Sequence, residues 1–350
     1  AMHPSPRSLI RATFTAVCVL TLTAVTAGVS VAQGSSSGST GSSALSGSSG
    51  QGSANAPGSA ALNPSNPYSE DTTDNLVTFG DSFTANTHSV ANNIESSAED
   101  YPQQSGCHIA PHAWPGLLAE DTGIPVQNWA CTNSGTAHML NRVTRAIDAG
   151  HVNDSSTVVL SSGMNDKQRE LGDAEITANF LAAVEKIQDA APGTEIIILG
   201  RLATTDSDGR QCSVNLIPYL PLGQVAEDTA ARETAVQDIQ RNVAERTGVE
   251  FIDIHEMTLE KNSTCAPDAD RYVSGNRDYT TPGFNMNAHP SIAGSQFLAA
   301  QIVAFLGRDA AEQILEFIED ADLENTPVIG DVADALTDVA EEDAEEEAES

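Results

Sequence analysis

Basic side chains are scarce in this chain. Lysine and arginine together number 16, against 49 aspartates and glutamates, and the formal net charge is −33. From Asp309 to the last residue, Ser350, there are 17 acidic residues and no lysine or arginine, so about half of the net charge belongs to that segment. Nucleic acids and anionic membranes repel such a surface. We therefore expect neither of them as a partner.

Metal-binding patterns are also lacking. No Cys-x-x-Cys pair is present, and Pro111 between His108 and His112 disfavours the helix that would align these histidines as ligands. Val273 stands where a calcium loop needs a glycine, among the acidic residues Asp268, Asp270 and Asp278. We expect no metal ion and no cofactor.

The first 32 residues have the pattern of an export signal. Arg7 and Arg11 precede an apolar run from Ala12 to Val29, and Ser30-Val31-Ala32 is a small-x-small cleavage site. A single membrane anchor is the alternative, but threonine and glycine interrupt the run and no basic residue follows it. We expect a signal peptide over residues 1–32 and a secreted protein, extracellular or associated with the cell wall. No membrane span is expected after cleavage.

A polar tether follows the signal, and the far end of the chain is acidic. Ser, Gly, Ala and Asn dominate residues 33–66, which cannot bury enough apolar surface to fold. Residues 67–308 form the predicted domain. In residues 309–350, a helical pattern from Ala310 to Leu323 precedes an acidic run that repels itself. We expect a helix and a disordered acidic tail there.

Of the five cysteines, four lie in the predicted domain. Four cysteines permit three pairings. In an exported protein they are expected to form disulfides rather than bind metal. Pairing nearest neighbours predicts the disulfides Cys107–Cys131 and Cys212–Cys265.

Short apolar runs alternate with helical patterns across the central domain. Strands this short and apolar, separated by helices, form a parallel sheet that helices cover on both faces. The sequence therefore predicts a three-layer α/β/α fold with a five-stranded parallel sheet. The predicted strands are Asn75–Phe79, Pro125–Ala130, Ser156–Leu160, Thr194–Gly200 and Val249–His255, and the predicted helices are Thr136–Ala149, Ala174–Ala191, Val225–Thr247 and Ser291–Leu306.

Residue types that carry chemistry follow the predicted strands. Ser82 comes directly after the first strand. Gly135 follows the second strand, Asn165 follows the third, and His289 precedes the last helix. Ligands of parallel sheets bind beyond the carboxyl ends of the strands, so a hydroxyl at position 82 can reach a substrate. Each stretch by itself is equally typical of a turn, because Gly, Asp, Asn and Ser are common turn residues.

Together, and in this order, the four stretches resemble the SGNH hydrolases, also called GDSL esterases and lipases. The matching blocks are Gly80-Asp81-Ser82, Gly135, Gly163 to Asp166, and His289-Pro290. The resemblance covers most of residues 76–306 and implies a flavodoxin-like fold and an acyl-ester hydrolase without a cofactor. The cysteine loop followed by Trp114-Pro115 is similar to the secreted actinobacterial branch of the family.

The resemblance also implies a role for each residue. Ser82 is the nucleophile and His289 is its base, because a serine hydroxyl needs a base within hydrogen-bond reach. The tetrahedral intermediate needs donors aimed at its oxyanion. The backbone N–H groups of Ser82 and Gly135 and the side-chain amide of Asn165 would supply them.

One position departs from the family pattern. The family usually has an aspartate three residues before the histidine, and here that residue is Met286. Some members of the similar actinobacterial branch use a main-chain carbonyl from that position. Such a carbonyl would fix the proton on Nδ1 of His289 and leave Nε2 free as the base. We expect the Met286 carbonyl to orient His289, with Asn285, Asn287 and Asp278 as alternatives.

The leading interpretation is a secreted, monomeric serine esterase that cleaves acyl esters of lipids or short-chain acids. A carbohydrate or cell-wall O-deacetylase would use the same machinery. A catalytically silent module that binds cell-envelope material is the alternative from another class. Specificity depends on two long loops, Glu95–Pro115 and Ala203–Leu222. The second loop has five apolar residues that form either an acyl site or part of the core: Leu216, Ile217, Tyr219, Leu220 and Leu222.

Overall fold

The computed structural model describes residues 66–87 and 101–320, with side chains up to residue 307. The predicted signal peptide, nearly all of the tether and the predicted tail beyond residue 320 lie outside these ranges. Contacts divide the chain into two units. The unit from Pro57 to Gln301 contains all the elements below except the part of the last helix that begins at Ile302, which belongs to the other unit.

The central sheet is the scaffold of the site. Among the described residues the strands are β1 (Leu76–Gly80), β2 (Gln103–Gln104), β3 (Cys107–His108), β4 (Val126–Asn128), β5 (Thr157–Ser161), β6 (Glu195–Leu199), β7 (Arg210–Ile217), β8 (Leu220–Val225), β9 (Glu250–Ile252) and β10 (Arg277–Asp278). Five of them form a parallel sheet in the order β4-β1-β5-β6-β9. This is the strand order of flavodoxin-like folds. The predicted α/β fold with a five-stranded parallel sheet is confirmed.

Helices connect these strands. They are α1 (Ser82–Ala85), α2 (Trp114–Thr122), α3 (Thr136–Asp148), α4 (Met164–Gln168), α5 (Asp173–Ala190), α6 (Glu227–Thr247), α7 (Ile254–Leu259) and α8 (Ile292–Asp320). The four longest occupy the four stretches in which the apolar residues have helical spacing. In residues 66–87 and 101–320, no helix combines the length and the apolar character that crossing a bilayer requires.

The core lies against the middle strands. Every residue of β1 and of β5 is buried, as expected for strands with helices on both faces. Alternate residues of these two strands join one large apolar cluster with side chains of α3, α5 and α6. The strand contribution to that cluster includes Val77, Phe79, Val158 and Leu160.

The helix α8 extends beyond Leu306, where we expected the last helix to end, because Gly307 weakens a helix by only about 1 kcal/mol. Two further features differ from the prediction. His255, expected at the end of a strand, lies in α7, because the Asp253 carboxylate accepts a hydrogen bond from Glu256 N and starts a helix. Most of the hairpin β7–β8, which ends at Val225, lies where we expected the loop Ala203–Leu222.

Both disulfides have the predicted pairing. Cys107–Cys131 joins β3 to the chain beyond β4, and Cys212–Cys265 joins β7 to the segment beyond α7. The first disulfide therefore fixes residues 101–115, the described part of the predicted loop Glu95–Pro115, which we call the insertion. Within that segment, Ala110 N donates a hydrogen bond of 2.9 Å to Ala85 O at the end of α1. The insertion lies beside the helix that begins with Ser82.

Candidate active site

Ser82 occupies a tight junction between β1 and the short helix α1. The Asp81 carboxylate caps this helix by accepting a 2.8 Å hydrogen bond from Phe83 N. Asn86 ends it in a left-handed conformation, with φ of 43°. The junction has no room for a side chain at Gly80, where a Cβ atom would lie 2.3 Å from Thr84 Oγ1. The sequence around Ser82 thus fixes its hydroxyl at the carboxyl edge of the sheet.

His289 meets this hydroxyl from the other end of the chain. Its Nε2 atom lies 2.7 Å from Ser82 Oγ, and its Nδ1 atom lies 2.8 Å from the carbonyl oxygen of Asn287. A carbonyl oxygen only accepts hydrogen bonds, so Nδ1 carries the proton and Nε2 is the acceptor. This tautomer can take the proton of the serine hydroxyl.

The carbonyl that orients His289 is not the predicted one. Met286 O instead accepts a hydrogen bond of 2.9 Å from Ser274 Oγ. Two further candidates have different partners: Asn285 Nδ2 donates to Asn86 O, and the Asp278 carboxylate accepts from several groups of its own loop. Asn287 serves through its backbone rather than its side chain.

His289 is a weakly basic imidazole. Burial lowers its pKa to about 4, and the nearby positive charge of Arg201 acts in the same direction, against the hydrogen bond to Asn287 that raises it. No carboxylate contacts the Nδ1 side of the ring in the described structure. The imidazole is consequently neutral, and able to act as a base, well below neutral pH.

Arg201 is a member of the site that sequence reasoning missed. Its guanidinium carbon lies 3.4 Å from the centre of the Phe83 ring, and that ring lies 5.2 Å from the His289 ring. Arg201 follows β6 by two residues, so its position at the carboxyl end of a strand was a usable signal. Burial lowers the pKa of Arg201, although the charges of Asp81 and Glu233 oppose this. The residue brings a cation to the neighbourhood of Ser82.

A buried carboxylate supports the Arg201 loop. Glu233 accepts hydrogen bonds from the backbone N–H groups of Thr204 and Thr205, at 2.9 and 3.1 Å. Burial opposes ionisation of Glu233, but the interactions with His255, Arg201 and both threonines outweigh it and lower its pKa to about 2. Glu233 is therefore negatively charged at any pH well above 2. Its hydrogen bonds fix the backbone just after Arg201.

Asn165 lies between the loop that carries Ser82 and the loop that carries Gly135. Its Nδ2 atom donates hydrogen bonds to Ser134 O at 2.9 Å and to Asp81 Oδ2 at 3.4 Å. Both amide hydrogens therefore have acceptors, and the longer bond to Asp81 is the one that a reacting oxygen would replace. Within residues 66–87 and 101–320, the backbone N–H groups of Ser82 and Gly135 have no hydrogen-bond acceptor. The three predicted oxyanion donors thus belong to loops that Asn165 connects.

Asp166 braces the Gly135 loop. Its carboxylate accepts from Thr136 N, at 2.9 and 3.1 Å, and from Thr136 Oγ1 at 3.1 Å. A Cβ atom at position 135 would lie 2.6 Å from Asp166 Oδ1, so only glycine allows this approach. The requirement for glycine comes from the carboxylate behind the loop.

The described histidines outside this pair have structural contacts. His151 Nδ1, for example, accepts a 3.0 Å hydrogen bond from Trp129 Nε1. In the described ranges, His, Cys, Asp and Glu side chains form no group of three that is suited to a metal ion.

The fold and the serine–histidine pair define a class: an α/β protein with a serine hydroxyl, at the carboxyl edge of a parallel sheet, hydrogen-bonded to an imidazole. The chain belongs to the GDSL-like lipase/acylhydrolase family, whose profile matches residues 78–297. Membership of this family supports a hydrolase. No curated protein sequence matches the chain.

Several solved structures resemble it. Phospholipase A1 from Streptomyces albidoflavus NA297 has 19% identity, with 65% of this chain and 97% of that chain covered and a TM-score of 0.44. The extracellular lipase from Streptomyces rimosus has 18% identity, the same coverages and a TM-score of 0.42. An acetyl-xylooligosaccharide esterase from Geobacillus Stearmophilus has 15% identity, with 67% of this chain and 94% of that chain covered and a TM-score of 0.44.

Proposed function

We propose that this protein is a secreted esterase that hydrolyses acyl esters, of lipids or of short-chain acids, through an acyl-Ser82 intermediate. The observation that carries the proposal is the 2.7 Å hydrogen bond between Ser82 Oγ and His289 Nε2, with Nδ1 of the same ring bonded to a carbonyl. A nucleophile, a base and an orienting acceptor in this arrangement are the parts that covalent acyl transfer needs.

Acylation begins with attack of Ser82 Oγ on the ester carbonyl carbon. The Oγ–carbon bond forms while the hydroxyl proton moves to His289 Nε2, and the carbonyl oxygen becomes an oxyanion. The backbone N–H groups of Ser82 and Gly135 and the amide of Asn165 would stabilise that oxyanion. The bond to the leaving alkoxide then breaks, the alkoxide takes the proton from Nε2, and an alcohol departs.

Deacylation repeats these steps with water as the nucleophile. His289 Nε2 takes a proton from water as the hydroxide adds to the acyl carbon. The bond to Ser82 Oγ breaks, the serine recovers the proton from Nε2, and a free carboxylic acid leaves. The imidazolium formed in each step has the Asn287 carbonyl as its partner, which supplies a dipole rather than the full charge of a carboxylate.

Two observations support secretion. The arginines followed by an apolar run and a small-x-small site match an export signal. The two disulfides are of the kind that forms in oxidising compartments. Mass spectrometry of the culture-medium protein would test this proposal, with Gln33 expected as the mature N-terminus. Retention of residues 1–32 would contradict it.

A fluorophosphonate probe tests the nucleophile. It should label the wild-type protein at Ser82, and neither Ser82→Ala nor His289→Gln should be labelled at a comparable rate. Ser162 gives a matched control, because it is a buried serine that also follows a central strand. Ser162→Ala should keep the label. Labelling of Ser82→Ala as fast as wild type would overturn the proposal.

A substrate panel tests the acyl-ester class. p-Nitrophenyl esters of rising chain length should be hydrolysed, with kcat/KM rising beyond the acetate ester. Acetylated xylo-oligosaccharides should react more slowly than the longer acyl esters. A preference for the acetylated sugar would instead identify an O-deacetylase, and no turnover of any ester by folded protein would exclude the enzyme.

A further inference from the structure

The exposed apolar side chains of this protein are concentrated on one small sheet. The strands β7 and β8 and the short β10 form it, in the order β10-β7-β8. Tyr219 is 86% exposed and Tyr279 is 74% exposed. Of the large exposed apolar residues in the described part of the chain, Met257 alone lies away from this sheet. The strands contribute Leu216, Ile217, Leu220, Leu222 and Val225, Tyr219 lies in the turn between β7 and β8, and Tyr279 directly follows β10. These side chains are not part of the core.

The pairing of the hairpin β7–β8 places three of them on one face. Ile217 is opposite Leu220, and Leu222 is opposite Val214. Because side chains two residues apart in a strand share a face, Leu220 and Leu222 lie on the same side as Ile217. We call this distal end of the hairpin, residues 216–222, the apolar tip.

The apolar tip is electrically neutral in a strongly acidic protein. From residue 210 to residue 225 the sequence has a single charged side chain, Arg210, at the far end of the hairpin. An anionic surface would still be repelled by the rest of the chain, whose net charge is −33. An uncharged or zwitterionic surface is not repelled in this way, and it can bury the tip.

The residue types suit a lipid surface. Leucine and isoleucine partition into acyl chains, and tyrosine prefers the boundary between acyl chains and water. Strand pairing with another copy of this chain is less suited, because β8 is an edge strand that contains Pro221. Proline has no N–H to donate and blocks the addition of a strand.

A disulfide and a hydrogen bond fix the apolar tip to the rest of the domain. The Cys212–Cys265 disulfide fixes the base of β7, and Tyr219 N in the turn donates a 3.0 Å hydrogen bond to Asp268 Oδ2. Asp268 is in turn paired with Arg271 at 2.9 Å. A preordered apolar surface loses little conformational entropy when it is buried.

Hydrogen bonds also connect this hairpin to the candidate active site. Asn215 of β7 donates to Asp278 Oδ2 at 3.0 Å, and that oxygen also accepts from Gly275 N at 2.7 Å. The preceding residue, Ser274, donates its N–H to His289 O at 3.0 Å. The hairpin and the loop that carries His289 therefore form one hydrogen-bonded assembly.

We propose that the apolar tip inserts into the surface of neutral or zwitterionic lipid aggregates and holds the Ser82–His289 site at the lipid–water boundary. This inference rests on the proposed function, because a lipid surface is useful only to an enzyme whose ester substrate resides there. Docking would raise activity on aggregated esters without changing the chemistry at Ser82.

Vesicle flotation tests the docking. The full chain as Ser82→Ala, which cannot digest the lipid, is mixed with phosphatidylcholine vesicles. The variant Ile217→Ser/Leu220→Ser/Leu222→Ser in the same background should bind at least about tenfold more weakly, since each serine removes apolar area from the interface. Met257→Ser is the matched control, because Met257 is 52% exposed on α7 and should not matter. Tyr219→Ser, at a fully projecting position, gives a second variant that leaves the core untouched.

The outcomes separate this inference from the proposed function. With Ser82 intact, the triple variant should hydrolyse soluble p-nitrophenyl acetate at the wild-type rate but lose activity on vesicle-borne esters. Wild-type binding by the triple variant, or no vesicle binding by any form, would overturn the docking. Dimers that the triple variant abolishes, without vesicle binding, would identify a second copy as the occupant. Absence of turnover on p-nitrophenyl acetate would reject the proposed esterase, whatever the flotation result.

Discussion

The Nδ1 atom of His289 is hydrogen-bonded to the carbonyl oxygen of Asn287, so this chain orients its imidazole from a position two residues away. Ala288 between them has φ of 57°, a left-handed conformation that costs an alanine roughly 1–2 kcal/mol. Ser274 offsets that cost with hydrogen bonds to Met286 O and His289 O. The strained turn is what directs the carbonyl of Asn287 to the ring.

A backbone acceptor predicts that side chains near it are dispensable for turnover. Asn287→Ala retains the carbonyl, so kcat should stay within about threefold of wild type, well under 1 kcal/mol of barrier. Met286→Ala should behave similarly once folded, although removing a buried methionine costs about 2–5 kcal/mol of stability. Steady-state kinetics below the melting temperature provide the measurement. A hundredfold loss in folded Asn287→Ala would reject the backbone role.

The low basicity of His289 predicts activity at acidic pH. The base works only when neutral, so kcat/KM should fall as the pH drops through the pKa of about 4 in the free enzyme. An unperturbed histidine would lose activity near pH 6.5. The dependence of kcat/KM on pH, measured on a soluble ester with protein stability monitored in parallel, distinguishes a pKa of about 4 from one near 6.5. An acidic limb near 6.5 would contradict the burial of this imidazole.

Arg201 contributes to that low pKa through its charge. Arg201→Met removes the like-charge repulsion, so the acidic limb of the kcat/KM profile should move to higher pH. This shift of the acidic limb should be smaller than the one that burial causes, because burial is the larger cause of the low pKa of His289. Arg201→Lys keeps the charge, and its limb should stay near that of wild type. An unchanged limb in folded Arg201→Met would show that the cation over Phe83 does not act on His289.

Loss of the Asn165 amide should slow the chemical step. Asn165→Ala removes one of the three proposed oxyanion donors, and kcat should fall by about 10²–10³-fold, equivalent to roughly 2.7–4 kcal/mol. KM should change little, because the interaction strengthens in the transition state. Asn179→Ala is a matched control, since Asn179 Nδ2 donates to Thr136 Oγ1 behind the same loop. An equal loss of kcat in both variants would indicate general loosening of the loop instead.

Sequence reasoning named three candidate side chains from their positions next to predicted strands and helices. Ser82 and Asn165 follow buried strands that are recognisable from their apolar runs, and His289 precedes the last helix. The sequence could not predict that the carbonyl of Asn287, rather than that of Met286, accepts the hydrogen bond from His289. Every residue has a carbonyl, and the one that faces the ring is determined by the backbone conformation of Ala288.

Contacts between distant parts of the chain were equally hidden. The stacking of Arg201 on Phe83 joins residues more than a hundred positions apart. The position of Arg201 after β6 indicates that it lies at the edge of the sheet, but it does not indicate this contact. The hairpin β7–β8 was missed for a different reason. Its pairing contains register shifts, and Pro218 and Pro221 interrupt the strand pattern, so the alternation that signals a half-buried strand is broken.

The close approach of Asp166, in α4, to Gly135 gives a prediction about the loop that precedes α3. In Gly135→Ala the new Cβ would lie 2.6 Å from Asp166 Oδ1, so the carboxylate must move and weaken its bonds to Thr136. We expect kcat to fall at least about tenfold and the free energy of unfolding to fall by about 1–3 kcal/mol, as for a buried hydrogen bond left unmade. Gly172→Ala is the matched control, because Gly172 also precedes a helix but has open space around its Cα and an ordinary negative φ. Thermal unfolding and turnover of both variants provide the test. Wild-type kcat in Gly135→Ala would mean that the N–H at 135 does not need its present position, and the oxyanion role of that loop would have to be abandoned.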